Sequence, residues 1–191
     1  MSNLRLHLGA GTVKIPNYTN VDLIQSPAVD VVADIRLLIG IMPNMVDVLY
    51  ASNVLEHFQR FEYPLVLQRW YQVLKPGGIL RLSVPDMEAI CKYYVETGKL
   101  DDIYMAVFSG QAKPFSFHYW GWDFKTLERD LKAAGFREVW KYDRDKTDHA
   151  EIRDWSLNFL PPQWNNGGTQ KMSDEEWFKG TNIALNVEAR K

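Results

Sequence analysis

Residues 3–23 read NLRLHLGAGTVKIPNYTNVDL, and this stretch limits the fold more than any other part of the chain. Leu4, Leu6 and Leu8 alternate with Asn3, Arg5 and His7, the period of a strand with one apolar face. The strand runs into Gly9-Ala10-Gly11. Glycines at that point free the backbone to take positive φ and let a ligand approach the main chain without meeting a Cβ. Further on, Val21-Asp22-Leu23 sets a carboxylate among apolar neighbours, as a second strand ending on an acid able to accept both hydroxyls of a ribose. Strand, glycine turn and strand-end acid, in that order, describe a nucleotide-cofactor site.

Ordinary turns share an isolated G-x-G, so its surroundings decide what it means. A dinucleotide fingerprint needs a third small residue for close packing of helix on strand. Lys14 stands there instead, and Pro16 opposes a long helix beginning at the turn. Nicotinamide and flavin dinucleotides are disfavoured, and a ligand without a pyrophosphate, such as S-adenosylmethionine (SAM), suits the turn better. Lys14 reads either as a positive partner for that ligand or, more simply, as an exposed loop lysine.

A chain of 191 residues, 46% apolar and 24% charged, suits one globular domain over 1–191. Its net charge of -2 and scattered basic residues lack the electrostatic footprint of a nucleic-acid binder. The single cysteine, Cys91, excludes an internal disulfide and any multi-cysteine metal site, and no other metal site is expected. No segment reads as a signal peptide or membrane span, so a cytoplasmic setting is expected.

Along the chain, strand and crossover patterns repeat. Ala28–Ile35 reads as a third strand presenting Asp34, and the apolar run Met45–Ala51 as a central parallel strand. Ser52-Asn53-Val54-Leu55-Glu56-His57 follows at its carboxyl end. Pro64 opens a helix carrying Val66, Trp70, Val73 and Leu74, which Lys75-Pro76-Gly77-Gly78 stops before a strand at Ile79–Val84. Met87, Ile90, Cys91, Tyr94 and Val95 suggest an amphipathic helix with Cys91 in the core, and Leu100, Ile103, Tyr104, Val107 and Phe108 another, ended by Gly110. Gln111–Asp123 is aromatic and without period. Phe124–Ala134 resumes a helix with Gly135 as its C-cap, Arg137–Tyr142 reads as a strand, Ser173-x-x-Glu176 as a capping box, and Ile183–Ala189 as a final strand. This order predicts a parallel sheet with helices on its faces.

Leu8-Gly9-Ala10-Gly11, Asp22, Ala33-Asp34-Ile35, the segment 52–57, Leu74-Lys75-Pro76-Gly77-Gly78 and Ala134-Gly135-Phe136 together resemble a class I SAM-dependent methyltransferase. The similarity is to the type 11 branch, and within it to small bacterial enzymes of surface-polysaccharide synthesis. It is strongest over Leu4–Asp86. It implies a Rossmann-like, doubly wound, seven-stranded, mostly parallel sheet with the last strand antiparallel, and 87–122 as an insertion that builds the acceptor site. Carried over by position, Gly9, Ala10 and Gly11 pass under the methionine part of SAM. Asp22, with Leu23 beside it, holds the ribose, Asp34 and Ile35 recognise adenine, and Ser52 with Asn53 lines the methionine end. Relatives place a full helix between glycine turn and acid, whereas Thr12–Asn20 has room for barely two turns.

Methyl transfer to a hydroxyl needs alignment of donor and acceptor and a group to take the proton. The acceptor site is expected beyond the carboxyl ends of the strands, built from Gln111–Trp122 and the polar segment near His149 and Glu151. His118 is the candidate base, or else fills an aromatic cluster. His57 either touches ligand or caps its helix, and His7 is structural. Six of the seven tryptophans fall at or after position 120; flat rings there read either as a surface for a sugar or another ring acceptor or as an aromatic-rich core, and the expected acceptor is a small molecule or sugar that the sequence does not name. A SAM-binding protein without activity is the alternative, and a nucleotide-dependent oxidoreductase a weaker one.

Overall fold

The computed structural model describes residues 3–111, 115–160 and 180–191; the expected capping box at Ser173 lies outside them. Nine strands are defined among these residues: β1 Arg5–Leu8, β2 Thr19–Asp22, β3 Val31–Val32, β4 Val46–Ser52, β5 Leu74–Pro85, β6 Glu138–Lys141, β7 Phe159–Leu160, β8 Thr181–Asn182 and β9 Ala184–Arg190. Seven form one sheet in the order β3-β2-β1-β4-β5-β9-β6. β1 is parallel to β2 and β4, β2 to β3, and β4 to β5, while β9 runs antiparallel between β5 and β6. The antiparallel last strand expected from the sequence is present. Outside this sheet, β7 and β8 pair as a separate two-stranded ribbon.

Alternation along the strands explains how the sheet is covered. Leu6, Leu8, Leu49, Ala51, Leu80, Leu82, Leu185 and Val187 face one way and join a single core. Helices α1 (Tyr63–Val73) and α4 (Phe124–Ala134) cover that face through Val66, Trp70, Leu127 and Leu131. Pro64 starts α1, where a missing N–H costs nothing. Asp123 caps α4 by accepting from the Thr126 N–H, and Thr126 returns a bond to the Asp123 N–H.

The intervening residues His7, Tyr50, Arg81 and Glu188 point to the other face, which turns cover: residues 9–18 and the segment 143–157. His7 donates to Asn20 at 2.9 Å, Tyr50 to Asp154 at 2.5 Å, and Arg81 pairs with Glu188 at 2.7 Å and Asp148 at 2.8 Å. His149 packs on Tyr50 with ring centroids 4.3 Å apart. These bonds and ion pairs satisfy most of the charge on this face, which is what makes a polar face tolerable, while the Ser83 and Tyr142 hydroxyls and Nε2 of His149 are buried there without a hydrogen bond.

Several local expectations are corrected. Residues 9–18 form turns without a helix. The third strand shrinks to Val31–Val32, both half exposed at the sheet edge. α1 ends at Val73, and Leu74 already belongs to β5. In α2 (Met87–Thr97) the buried stripe is Ile90 and Tyr93, while Val95 is 83% exposed and Cys91 lies at the surface. The helix meets the β7–β8 ribbon and α3 (Leu100–Phe108), not the main core, so its inward face is turned from the one its apolar pattern indicates. α3 ends at Phe108 on Ser109, which takes the left-handed φ of 62°, rather than on Gly110.

Candidate active site

The carboxyl ends of β1, β2 and β4 open into one cleft of about 1050 Å³. At its floor the main chain turns at Gly9 (φ 70°) and Gly11 (φ 53°). A Cβ on Gly9 would stand 2.4 Å from Cγ2 of Val54, so the turn lies directly against the chain leaving β4. A Cβ on Gly11 would have no heavy atom within 4 Å, because that position borders the open cleft. Gly9 and Ala10 both donate to the Val21 carbonyl, at 2.9 and 3.2 Å. Asp22 then closes the turn: Oδ2 accepts the Gly11 N–H at 2.8 Å and Oδ1 the Ile24 N–H at 2.9 Å.

Of the residues singled out in the sequence, Gly9, Gly11, Asp22, Leu23, Asp34, Ile35, Asn53, His57 and His118 line this cleft. Ala10 and Ser52 lie beneath its surface, and the Ser52 hydroxyl is buried without a partner. Asn53 leaves β4 with a φ of 49° and donates its N–H to Ser83. The Asp34 carboxylate is gripped by Arg36, at 2.7 Å, and Arg36 also reaches Glu62. That guanidinium holds the Asp34 carboxyl below its ordinary range. Lys14 pairs with Asp30 as an exposed loop lysine.

The opposite wall comes from Ser109, Phe115, Ser116, His118 and Tyr119. It is tied to the short 3-10 helix Leu55–His57 by the Tyr119 N–H, which donates to the Glu56 carbonyl at 2.8 Å. The rings of His57 and His118 meet edge to face with centroids 4.8 Å apart. His57 Nδ1 lies 2.9 Å from the Phe117 carbonyl and His118 Nδ1 2.9 Å from that of Ala106. A carbonyl only accepts, so each Nδ1 carries the proton and each Nε2 keeps a free lone pair. Burial, and for His118 the neighbouring His57, push both imidazoles below their usual value, His118 to about 4.

Behind them Glu56 is fully buried, its two carboxylate oxygens have no hydrogen bond, and burial pushes it up to about 8. One of these oxygens lies 3.8 Å from His118 Nε2. The sequence reading passed over Glu56, although a glutamate framed by Val54, Leu55 and Phe58 was a signal that it points inward. It also missed Arg36, Trp155 and Asn158, which line the cleft. The expected contribution of His149 and Glu151 is corrected: His149 is buried on the far face of the sheet, Glu151 is exposed, and neither lines the cleft. Among the aromatics, Trp122 belongs to the main core and Trp120 stacks on Tyr63, whereas Phe115 and Tyr119 line the cleft, so the aromatic segment divides between packing and the site.

Residues 7–82 match the family model described as a methyltransferase domain. The fold is that of the SAM-dependent methyltransferases, a class whose methyl donor is SAM. It is shared with a SAM-dependent methyltransferase of Archaeoglobus fulgidus at 14% identity and a TM-score of 0.59, over 99% of this chain and 86% of the other. It is also shared with the 1,6-didemethyltoxoflavin-N1-methyltransferase of Burkholderia thailandensis, solved with 1,6-didemethyltoxoflavin and S-adenosylhomocysteine, at 17% identity and a TM-score of 0.58, over 98% and 70% of the two chains. A possible histamine N-methyltransferase of Thermotoga maritima matches at 15% identity and 0.58, over 100% and 83%. No curated protein matches the chain by sequence.

Proposed function

We propose that this protein transfers the methyl group of SAM to a small-molecule acceptor bound between the glycine turn and the His118 wall. One observation carries the reading: the Gly9–Gly11 turn with Asp22 and the His57–His118 pair line the same cleft. The residues fit SAM, because Gly11 leaves open space above the main chain and the carboxylates of Asp22 and Asp34 line the same cleft. Asp22 would take the ribose hydroxyls with its remaining lone pairs, with Leu23 beside it. Asp34 and Ile35 would meet the adenine, Gly9, Ala10 and Gly11 the methionine chain, and Ser52 and Asn53 its far end. When bound, SAM supplies an electrophilic methyl on a sulfonium, which passes to a lone pair of the acceptor and leaves S-adenosylhomocysteine.

The acceptor's proton is assigned to His118, which lines the cleft and whose Nε2 keeps a lone pair. Trp155 and Tyr119 offer flat faces there, which supports a sugar among small-molecule acceptors, as in polysaccharide synthesis. The 1,6-didemethyltoxoflavin bound to the Burkholderia enzyme supports the small-molecule class. Scattered basic residues argue against a nucleic-acid acceptor, and the free thiol of Cys91 suits a cytoplasmic setting. No helix among the described residues is long and apolar enough to cross a membrane.

Calorimetric titration tests the reading: SAM and S-adenosylhomocysteine should bind one to one and NADH should not. Binding of NADH instead of SAM overturns it. SAM binding with no methyl transfer to any of a panel of hydroxylated small molecules and sugars would favour a regulatory protein.

A further inference from the structure

We propose that Glu56, His57 and His118 bind one divalent first-row transition ion, through one carboxylate oxygen and the two Nε2 atoms. One potential ligand atom from each residue lies within 4.8 Å of the others. Donors about 2.1 Å from a shared ion lie roughly 3–4 Å apart, so a small rotation of the side chains closes the set around a centre. Glu56 is wholly buried and neither of its oxygens has a hydrogen-bond partner. An isolated carboxylate in that position is costly unless a cation or a proton joins it. Both histidines donate Nδ1–H to main-chain carbonyls at 2.9 Å. That bond orients the ring and leaves Nε2 as the donor, which is how ligating histidines are held.

Three separate strands of geometry converge: an orphaned anion, two oriented lone pairs, and main-chain ties that fix their elements to each other. Two nitrogens and one oxygen select iron(II), zinc, manganese or cobalt over magnesium and calcium, which favour oxygen alone. His57 and His118 line the cleft, so an ion held by them would border the acceptor site. This deepens the proposed function: the acceptor class becomes an oxygen donor, and coordination lowers the pKa of its hydroxyl so that the proton leaves to solvent. His118 then acts by holding the ion.

The test starts from untagged full-length protein stripped with EDTA. Titration with Co²⁺, followed by its visible absorption and by calorimetry, should reveal one site per chain, with Mg²⁺ binding at least tenfold more weakly. Glu56→Gln and His118→Ala should each weaken Co²⁺ binding by about ten- to a hundredfold, with circular dichroism and thermal melting confirming a folded chain. His57→Ala serves if either variant fails to fold. Absence of a one-to-one Co²⁺ site, or affinity unchanged in folded variants, overturns the inference and leaves a shared proton as the partner of Glu56. SAM is titrated separately into stripped protein: SAM binding without a Co²⁺ site sinks the ion alone, and a Co²⁺ site without SAM binding sinks methyl transfer alone.

Discussion

The main-chain N–H of Gly11 donates to Oδ2 of Asp22 across 2.8 Å, so the glycine turn and the strand-end acid form one hydrogen-bonded unit. Without a helix after the turn, the amides that a helix N-terminus would aim at the cofactor are missing, and this bond holds the loop in shape. Asp22→Ala should therefore act twice, removing a ribose partner and loosening the turn. SAM affinity should fall by about ten- to a hundredfold, from a charged hydrogen bond worth roughly 1.5–3 kcal/mol. Calorimetry on a folded Asp22→Ala protein with unchanged affinity would refute the assignment.

The two turn glycines should respond unequally to a single methyl. Gly9→Ala meets Val54 at 2.4 Å with φ at 70°, a combined cost on the order of 3 kcal/mol, and SAM binding should be lost. Gly11→Ala has φ 53° but open space around it, so only the backbone penalty of about 1 kcal/mol applies. Urea unfolding of the two variants measures the difference; equal destabilisation would contradict the close approach of Val54.

His118→Ala should lower methyl-transfer turnover by about a hundredfold. SAM affinity should be unchanged, because His118 stands on the wall opposite the glycine turn. The split between turnover and binding is read from steady-state kinetics beside calorimetry. A fully active variant would remove His118 from the chemistry in either of its roles.

Burial lowers His149 to about 4 from an ordinary 6.5. Between those values the unfolded chain takes up a proton that the folded chain refuses, so stability must fall as pH drops from 6.5 towards 4. The loss reaches roughly 3 kcal/mol from this residue. His149→Phe keeps a ring against Tyr50 and removes the titration, so its urea midpoint should depend less on pH in that window than the wild type's. Identical slopes in both proteins would show that His149 does not couple folding to pH.

Cys91, the single cysteine and an exposed one, should react with a thiol reagent in the native protein at the rate of an open thiol. Cys91→Ser should leave the melting temperature within about 2 °C, since surface changes stay within about 0.5 kcal/mol. Protection of the thiol until unfolding would return it to the core.

Periodicity along the strands was enough by itself to give the strands and the parallel sheet, the resemblance to the SAM-dependent methyltransferases added the antiparallel last strand, and the glycine turn with the strand-end acids Asp22 and Asp34 pointed to residues that line one cleft. These signals are local: a two-residue alternation or a turn glycine carries its meaning whatever the rest of the chain does. Only the tertiary structure decided which face of α2 turns inward, because Ile90 and Tyr93 answer to the ribbon of β7 and β8 packed on them. It likewise sent His149 to the far side of the sheet, through contacts with Tyr50 and Arg81 that no spacing near His149 announces. Glu56 and His118 stand 62 positions apart in sequence and meet because the Tyr119 N–H pins the aromatic wall to the carbonyl of Glu56. A site of that kind is made by packing two distant segments together, and the chemistry of its residues becomes visible only once burial has stripped the water from them.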